Sequence, residues 1–177
     1  MEQAYRQGRK HAKLAFVAKS LVSAYVQAGK TDEATTIIKD ELASARERLK
    51  PDSPELAGVL ATTGKHLLDL KSYRDAEPLL RECLAVREKL APDAWNTFNA
   101  QSLLGAALLG QGQHAAAEPL LLSGHAGLEK TEPSIPPQAK YTLRDAVERL
   151  VQLYTAWDKP AEAAKWRAKL EESAGKP

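Results

Sequence analysis

The chain has 177 residues, a formal net charge of +2, 27% charged and 6% aromatic residues, and one cysteine, Cys83. That length can bury one sizeable core, and a composition rich in small and aliphatic side chains suits helix–helix packing better than a sheet, which would want β-branched and aromatic runs. A lone cysteine excludes an internal disulfide framework or a multi-cysteine metal site, and no apolar run nears the roughly 18 residues of a membrane span. Residues 1–6 form no hydrophobic signal segment, so a reducing cytoplasm is the expected location.

After an extension over residues 1–10, the first apolar stripe at helical spacing is Leu14, Ala18, Leu21 and Tyr25. A turn at Gly29 follows, then Ala34 and a second helix carrying Ile38 and Leu42. The segment Pro51-Asp52-Ser53-Pro54 breaks the chain, with Ser53 placed to cap a helix that starts at Pro54. The next pair is marked by Leu60, Gly64 and Leu67, a turn at Lys71, Ala76, and then Leu79, Leu80 and Leu84.

Pro92-Asp93 introduces the third pair: Leu104, Gly105 and Leu108, a turn at Gly112, Ala117, and then Leu120, Leu121 and Leu128. Residues 131–138 contain Pro133, Pro136 and Pro137 and cannot be helical throughout. The fourth pair has Val147, Leu150, Val151 and Tyr154, a turn at Asp158, Ala163, and then Trp166 and Leu170. Pro78 and Pro119 lie early in second helices, where each removes at most one backbone hydrogen bond, so both are read as helical.

The pairs repeat. Ala76-Glu77-Pro78-Leu79-Leu80 returns intact 41 residues later as Ala117-Glu118-Pro119-Leu120-Leu121. Arg46-Glu47-Arg48-Leu49-Lys50-Pro51-Asp52 is echoed at the same interval by Arg87-Glu88-Lys89-Leu90-Ala91-Pro92-Asp93. A fixed period in a helix-forming chain marks an array in which each unit buries its apolar face against its neighbours. The expectation is an all-α, right-handed superhelical array of about four antiparallel pairs, with units near 11–51, 52–92, 93–138 and 139–173 and a tail at 174–177. It predicts at least seven helices, no strand, and near-complete burial of Ala76 and Ala117 where paired helices cross. Helix 160–173 is expected to close the array, with Lys165, Lys169 and Glu172 turned outward.

This pattern resembles tetratricopeptide repeats. The turn glycine matches Gly29 and Gly112, the following aromatic Tyr73, the second-helix alanine Ala34, Ala76, Ala117 and Ala163, and the first-helix glycine Gly64 and Gly105. The long period and the Pro-Asp between units resemble the kinesin-light-chain type, and the closing segment resembles repeat regions downstream of bacterial serine/threonine kinases. The chain departs from the pattern at Lys71 and Asp158, where glycine is expected, and at Val22 and Val151.

No constellation points to catalysis. His11, His66, His114 and His125 show no metal-ligand pairing, with His114 read as part of a turn. Cys83 falls on a packed helix face, and no triad-like spacing or nucleophile elbow flags a serine. No catalytic residue, metal or cofactor is expected. Residues 1–51 carry 10 Lys and Arg against 6 acids, and residues 93–138 one Lys against 4 acids, yet no dense basic stripe with interleaved aromatics argues for nucleic acid.

The resemblance implies a concave groove lined by first helices that holds a peptide or partner helix. Its candidate positions are Phe16, Lys19, Ser23 and Val26; Ala61, Thr62, Lys65 and Leu68; Asn99, Ser102, Leu103 and Ala106; and Asp145, Glu148, Arg149 and Gln152. The kinesin-light-chain type often carries paired asparagines there; this chain has Lys19-Ser20, Ala61-Thr62, Ser102-Leu103 and Glu148-Arg149. A carboxylate clamp is echoed in part by Lys19, Ser23, Thr62 and Lys65. The reading is a non-catalytic protein–protein scaffold whose groove is positive at the first two pairs and reverses sign at the fourth, suiting an acidic peptide, without nucleic acid or membrane. The competing readings are an accessory region of a larger enzyme such as a kinase, and a small-molecule enzyme or ligand binder with a closed polar pocket.

Overall fold

The structure, a computed structural model, describes residues 21, 22, 24, 25 and 28–174. Residues 21, 22, 24 and 25 are helical, no strand occurs among the described residues, and seven further α-helices have defined bounds: α1 (Thr31–Arg48), α2 (Pro54–Asp69), α3 (Tyr73–Leu90), α4 (Trp95–Gly110), α5 (His114–Lys130), α6 (Tyr141–Ala156) and α7 (Pro160–Ala174). Local chemistry accounts for their ends. Acids Asp32 and Glu33 open α1 while Arg46 and Arg48 close it, each matching the helix dipole. Ser53 Oγ accepts a hydrogen bond from the Leu56 N–H at 3.2 Å, and Pro54 takes the first helical position of α2. Pro78 and Pro119 lie inside α3 and α5, as expected.

The four turns within pairs share one geometry. Lys71 and Asp158 hold φ values of +58° and +55°, close to the +70° of Gly29 and +76° of Gly112. In each turn the following N–H bonds back to the carbonyl five residues earlier: Lys30 to Tyr25, Ser72 to Leu67, Gln113 to Leu108 and Lys159 to Tyr154, all at 2.8–2.9 Å. That is the Schellman closure of a helix. The missing glycines at positions 71 and 158 therefore do not alter the turn; side-chain-bearing residues are held in the left-handed region instead.

Pairing depends on small residues at the crossings. Ala34, Ala76 and Ala117 have no exposed surface and Ala163 almost none. A Cβ on Gly64 would lie 2.5 Å from Leu80, and one on Gly105 would lie 2.7 Å from Leu121. Leu80 and Leu121 are equivalent positions of the repeated pentapeptide, both fully buried. Each contributes roughly 1.5–3 kcal/mol of apolar burial.

The pentapeptide's glutamates stitch neighbouring pairs together. Glu77 accepts from Gln111 Nε2 at 2.7 Å, and Glu118 accepts from the Tyr154 hydroxyl at 3.0 Å and pairs with Lys159. Each glutamate thus holds the end of the next pair's first helix. Burial and the Glu118 bond push the Tyr154 hydroxyl pKa up to about 12.

Between α5 and α6 the chain makes two 3₁₀ turns, Glu132–Ser134 and Pro137–Ala139. The segment is largely exposed, but Ile135 between the turns is buried beside Leu128 and Ala146 and anchors it. One outward assignment fails. Lys169 turns back onto α5, 2.8 Å from Glu129, rather than facing away from the array.

Direct contacts between alternate helices run from α2 to α4 and from α4 to α6, so the first helices of successive pairs form one layer. The second helices α3, α5 and α7 form the other, outer layer, each packed on its own first helix, so the first helices make up the inner layer of the array.

Candidate functional site

The inner layer encloses a solvent-open cavity of about 340 Å3. Leu68, Ala106 and Leu109 give it an apolar floor, α6 contributes Asp145, Glu148, Arg149 and Gln152, and Lys65, Asp69, Lys71 and Tyr73 line the opposite side. The aromatic landmark after the turn has a packing reason: the Tyr73 ring lies so close over Gly110 that any Cβ there would strike it.

Arg149 anchors this surface. Its side chain is 12% exposed, and its guanidinium donates to Ser102 Oγ on α4 at 3.0 Å and to Asp145 Oδ2 at 3.3 Å. Burial lowers its pKa from the ordinary arginine value, while the carboxylates of Asp145 and then Asp69 act in the opposite sense. Lys65 lies 3.2 Å from both carboxylate oxygens of Asp69, and Arg144 lies 2.8 Å from Glu148. These charged groups are engaged with one another, so the cavity combines an apolar floor with a charged, internally neutralised rim.

The structure brings together Lys65, Leu68, Ala106, Asp145, Glu148, Arg149 and Gln152 from the expected groove positions. Phe16, Lys19, Ser23 and Val26 lie outside the described residues. Thr62 is exposed but bonds its own helix at Gly58 O, and half-buried Asn99 sits farther up α4, away from the cavity. Ser102 is fully buried and meets the groove through Arg149, while Ala61 and Leu103 belong to the core. Asp69, one turn beyond Lys65 and outside the expected groove positions, pairs with it at 3.2 Å.

Asp69, Lys71, Tyr73, Leu109 and Gly110 also line the cavity. A signal for two of them was present: Lys65 and Asp69 form an i,i+4 pair, and Leu109 extends the Ala106 stripe by one turn. Lys71 and Tyr73 read as turn landmarks, which concealed their place on the rim.

Other candidate chemistry resolves into packing. The buried Cys83 thiol donates to Ala57 O at 3.2 Å, and burial raises its pKa, which suppresses the reactive thiolate. His114 is the first residue of α5, so one helix runs through both it and His125, contrary to its reading as a turn residue. His125 packs edge-on against Trp166, and His114 sits by Trp157. No group of three or more His, Cys, Asp or Glu among the described residues could hold a metal, and no described helix is long and apolar enough to cross a membrane.

The tetratricopeptide-repeat family profile matches residues 67–93, which contain the Lys71 turn and α3. No curated protein matches the chain. Among solved structures, the kinesin-light-chain nearly identical TPR-like repeats of Podosopora anserina superpose with a TM-score of 0.72 at 20% identity, over 95% of this chain and 79% of that one. BtubC (BKLC) of P. vanneervenii gives 0.69 at 16% identity over 99% and 74% of the respective chains. MamA of MSR-1 gives 0.55 at 21% identity over 97% of each. The chain carries a tetratricopeptide-repeat match over residues 67–93 and has the fold of the helical repeat arrays on which it superposes.

Proposed function

We propose that the protein is a non-catalytic scaffold that docks an extended peptide or partner helix on the concave face of α2, α4 and α6. The observation that carries this reading is the shared cavity: three successive inner helices contribute to one open surface with an apolar floor and a self-paired charged rim. A rigid helical layer presents these groups already ordered, so little conformational entropy is lost on the protein side. Lys65 and Leu68 would contact the occupant directly, with Ser102 acting through Arg149. Thr62 and Asn99 would extend the surface along α2 and α4, and Phe16, Lys19, Ser23 and Val26 are proposed to continue it. A reducing, cytoplasmic setting is part of this proposal.

The test is affinity capture with wild-type protein and two groove-filling variants, Ala106→Trp and Gln152→Trp, alongside Leu122→Glu on the outer face of α5. Thermal melts would verify that each variant folds. A partner lost with both groove variants and retained with Leu122→Glu supports the proposal. Retention with both groove variants, or loss specific to Leu122→Glu, contradicts it.

A further inference from the structure

The residues lining the two sides of the cavity differ in net charge. On α6, Asp145 and Glu148 show side-chain exposures of 27% and 39%; Asp145 pairs with the buried Arg149, and Glu148 with the exposed Arg144, which lies outside the cavity lining. Across α4, Lys65 and the exposed Lys71 stand against the single carboxylate of Asp69. Ala106 and Leu109 on α4 separate the two sides with an uncharged strip.

The geometry points to a dipolar partner: a segment with a basic side chain against Asp145 and Glu148, an acidic one against Lys65 and Lys71, and small apolar residues between them. This rests on the groove reading and names the partner's chemistry. A uniformly acidic segment would satisfy the α2 side but bring its remaining carboxylates against Asp145 and Glu148. A uniformly basic one would meet the reverse conflict at Lys65 and Lys71. A dipolar segment avoids both.

The rim pairs can yield to such a ligand. Lys65–Asp69 and Arg144–Glu148 are exposed i,i+4 pairs, weak enough for either partner to be exchanged. Helices in contact have axes about 8–10 Å apart, so α2 and α6 lie about 16–20 Å apart across α4. Side chains reaching inward narrow that gap. At about 3.3 Å per extended residue, the acidic and basic positions of the partner would be separated by about four to six residues. The opposed charges would also fix the direction in which the segment lies.

Three synthetic peptides of roughly 12 residues, sharing one Ala/Leu/Ser centre, provide the test by fluorescence anisotropy at low salt. One carries Glu at one end and Lys at the other, one carries Glu at both ends, and one carries Lys at both. Wild-type protein should bind the dipolar peptide about fivefold or more tightly than either of the others, and that preference should fade as salt is added. Lys65→Glu combined with Lys71→Glu should move the preference to the Lys/Lys peptide, and Glu148→Lys should move it toward the Glu/Glu peptide.

Equal binding of all three peptides, or a preference unmoved by these exposed-site variants, overturns the proposal. So does a lack of measurable binding by the dipolar peptide. Ala106→Trp separates the levels of the argument: if it blocks binding while charge order has no effect, the groove stands and the dipolar partner falls. If binding is indifferent to Ala106→Trp, both fall.

Discussion

Arg149 of α6 donates to the hydroxyl of Ser102 on α4 at 3.0 Å, and Ser102 has no exposed surface. The bond joins two adjacent inner helices at the floor of the groove, so stability and shape of the site share one contact. Arg149→Met should destabilise the fold by about 2–3 kcal/mol, because it strands a buried hydroxyl and removes the cation facing Asp145. Ser102→Ala should cost less. In urea melts the double variant should fall short of the summed single effects by about 1 kcal/mol; strict additivity would show that the bond contributes nothing.

The alanines at the pair crossings should resist enlargement. Ala76→Leu and Ala117→Leu are each expected to lose about 1–3 kcal/mol through overpacking, as read by thermal or urea denaturation. Gly124→Ala should be worse than Gly64→Ala. The new methyl at position 124 would meet main-chain atoms, Phe98 O and Ser102 N, both at 2.8 Å, whereas at position 64 it meets the Leu80 side chain. Equal losses would contradict this account of the α4–α5 crossing.

Lys71 and Asp158 occupy the left-handed turn position that Gly29 and Gly112 fill elsewhere. A side chain there costs about 1–2 kcal/mol, and glycine returns part of that gain through unfolded-state entropy. Lys71→Gly and Asp158→Gly should each raise stability by about 0.5–1 kcal/mol in chemical denaturation. A loss in both would mean that the left-handed turn carries no strain.

The repeat period, the helix order and the buried alanines were legible because each recurs: Ala34, Ala76, Ala117 and Ala163 mark the same crossing four times. The Pro78 and Pro119 assignments held for a local reason, since both lie near helix starts. The groove was legible in outline and not in charge. Helical spacing placed Lys65 and Arg149 on the inner face, but Lys65 was counted as positive without its partner Asp69, and Arg149 was given no part in the sign of the groove. Burial of Arg149 depends on where α6 meets α4, and neutralisation of Lys65 on Asp69 sharing its helix face. His114 was misread because its turn ends one residue earlier than expected, at Gln113.

His125 makes stability depend on pH. Burial holds its pKa below the ordinary 6.5, with Glu129 opposing that effect and Lys169 adding to it. Its neutral form is therefore favoured in the folded protein. The resulting stability is fully present above the unfolded-state pKa, declines as pH falls below that value toward the folded one, and levels off beneath it. Urea midpoints of wild type and His125→Gln, compared from about pH 7.5 to about pH 5, should differ by an amount that shrinks as pH falls. A difference that grew on acidification would reverse the sign of the argument.

The central claim is that partners dock on the inner face. Its most direct measurement is hydrogen exchange on the protein with and without a captured partner, read peptide by peptide. Amides and flanking segments of α2, α4 and α6 around Lys65–Asp69, Ala106–Gly110 and Asp145–Gln152 should gain protection on binding, while α3 and α5 change little. Protection concentrated on the outer helices α3, α5 and α7, with the inner helices unaltered, would contradict the account.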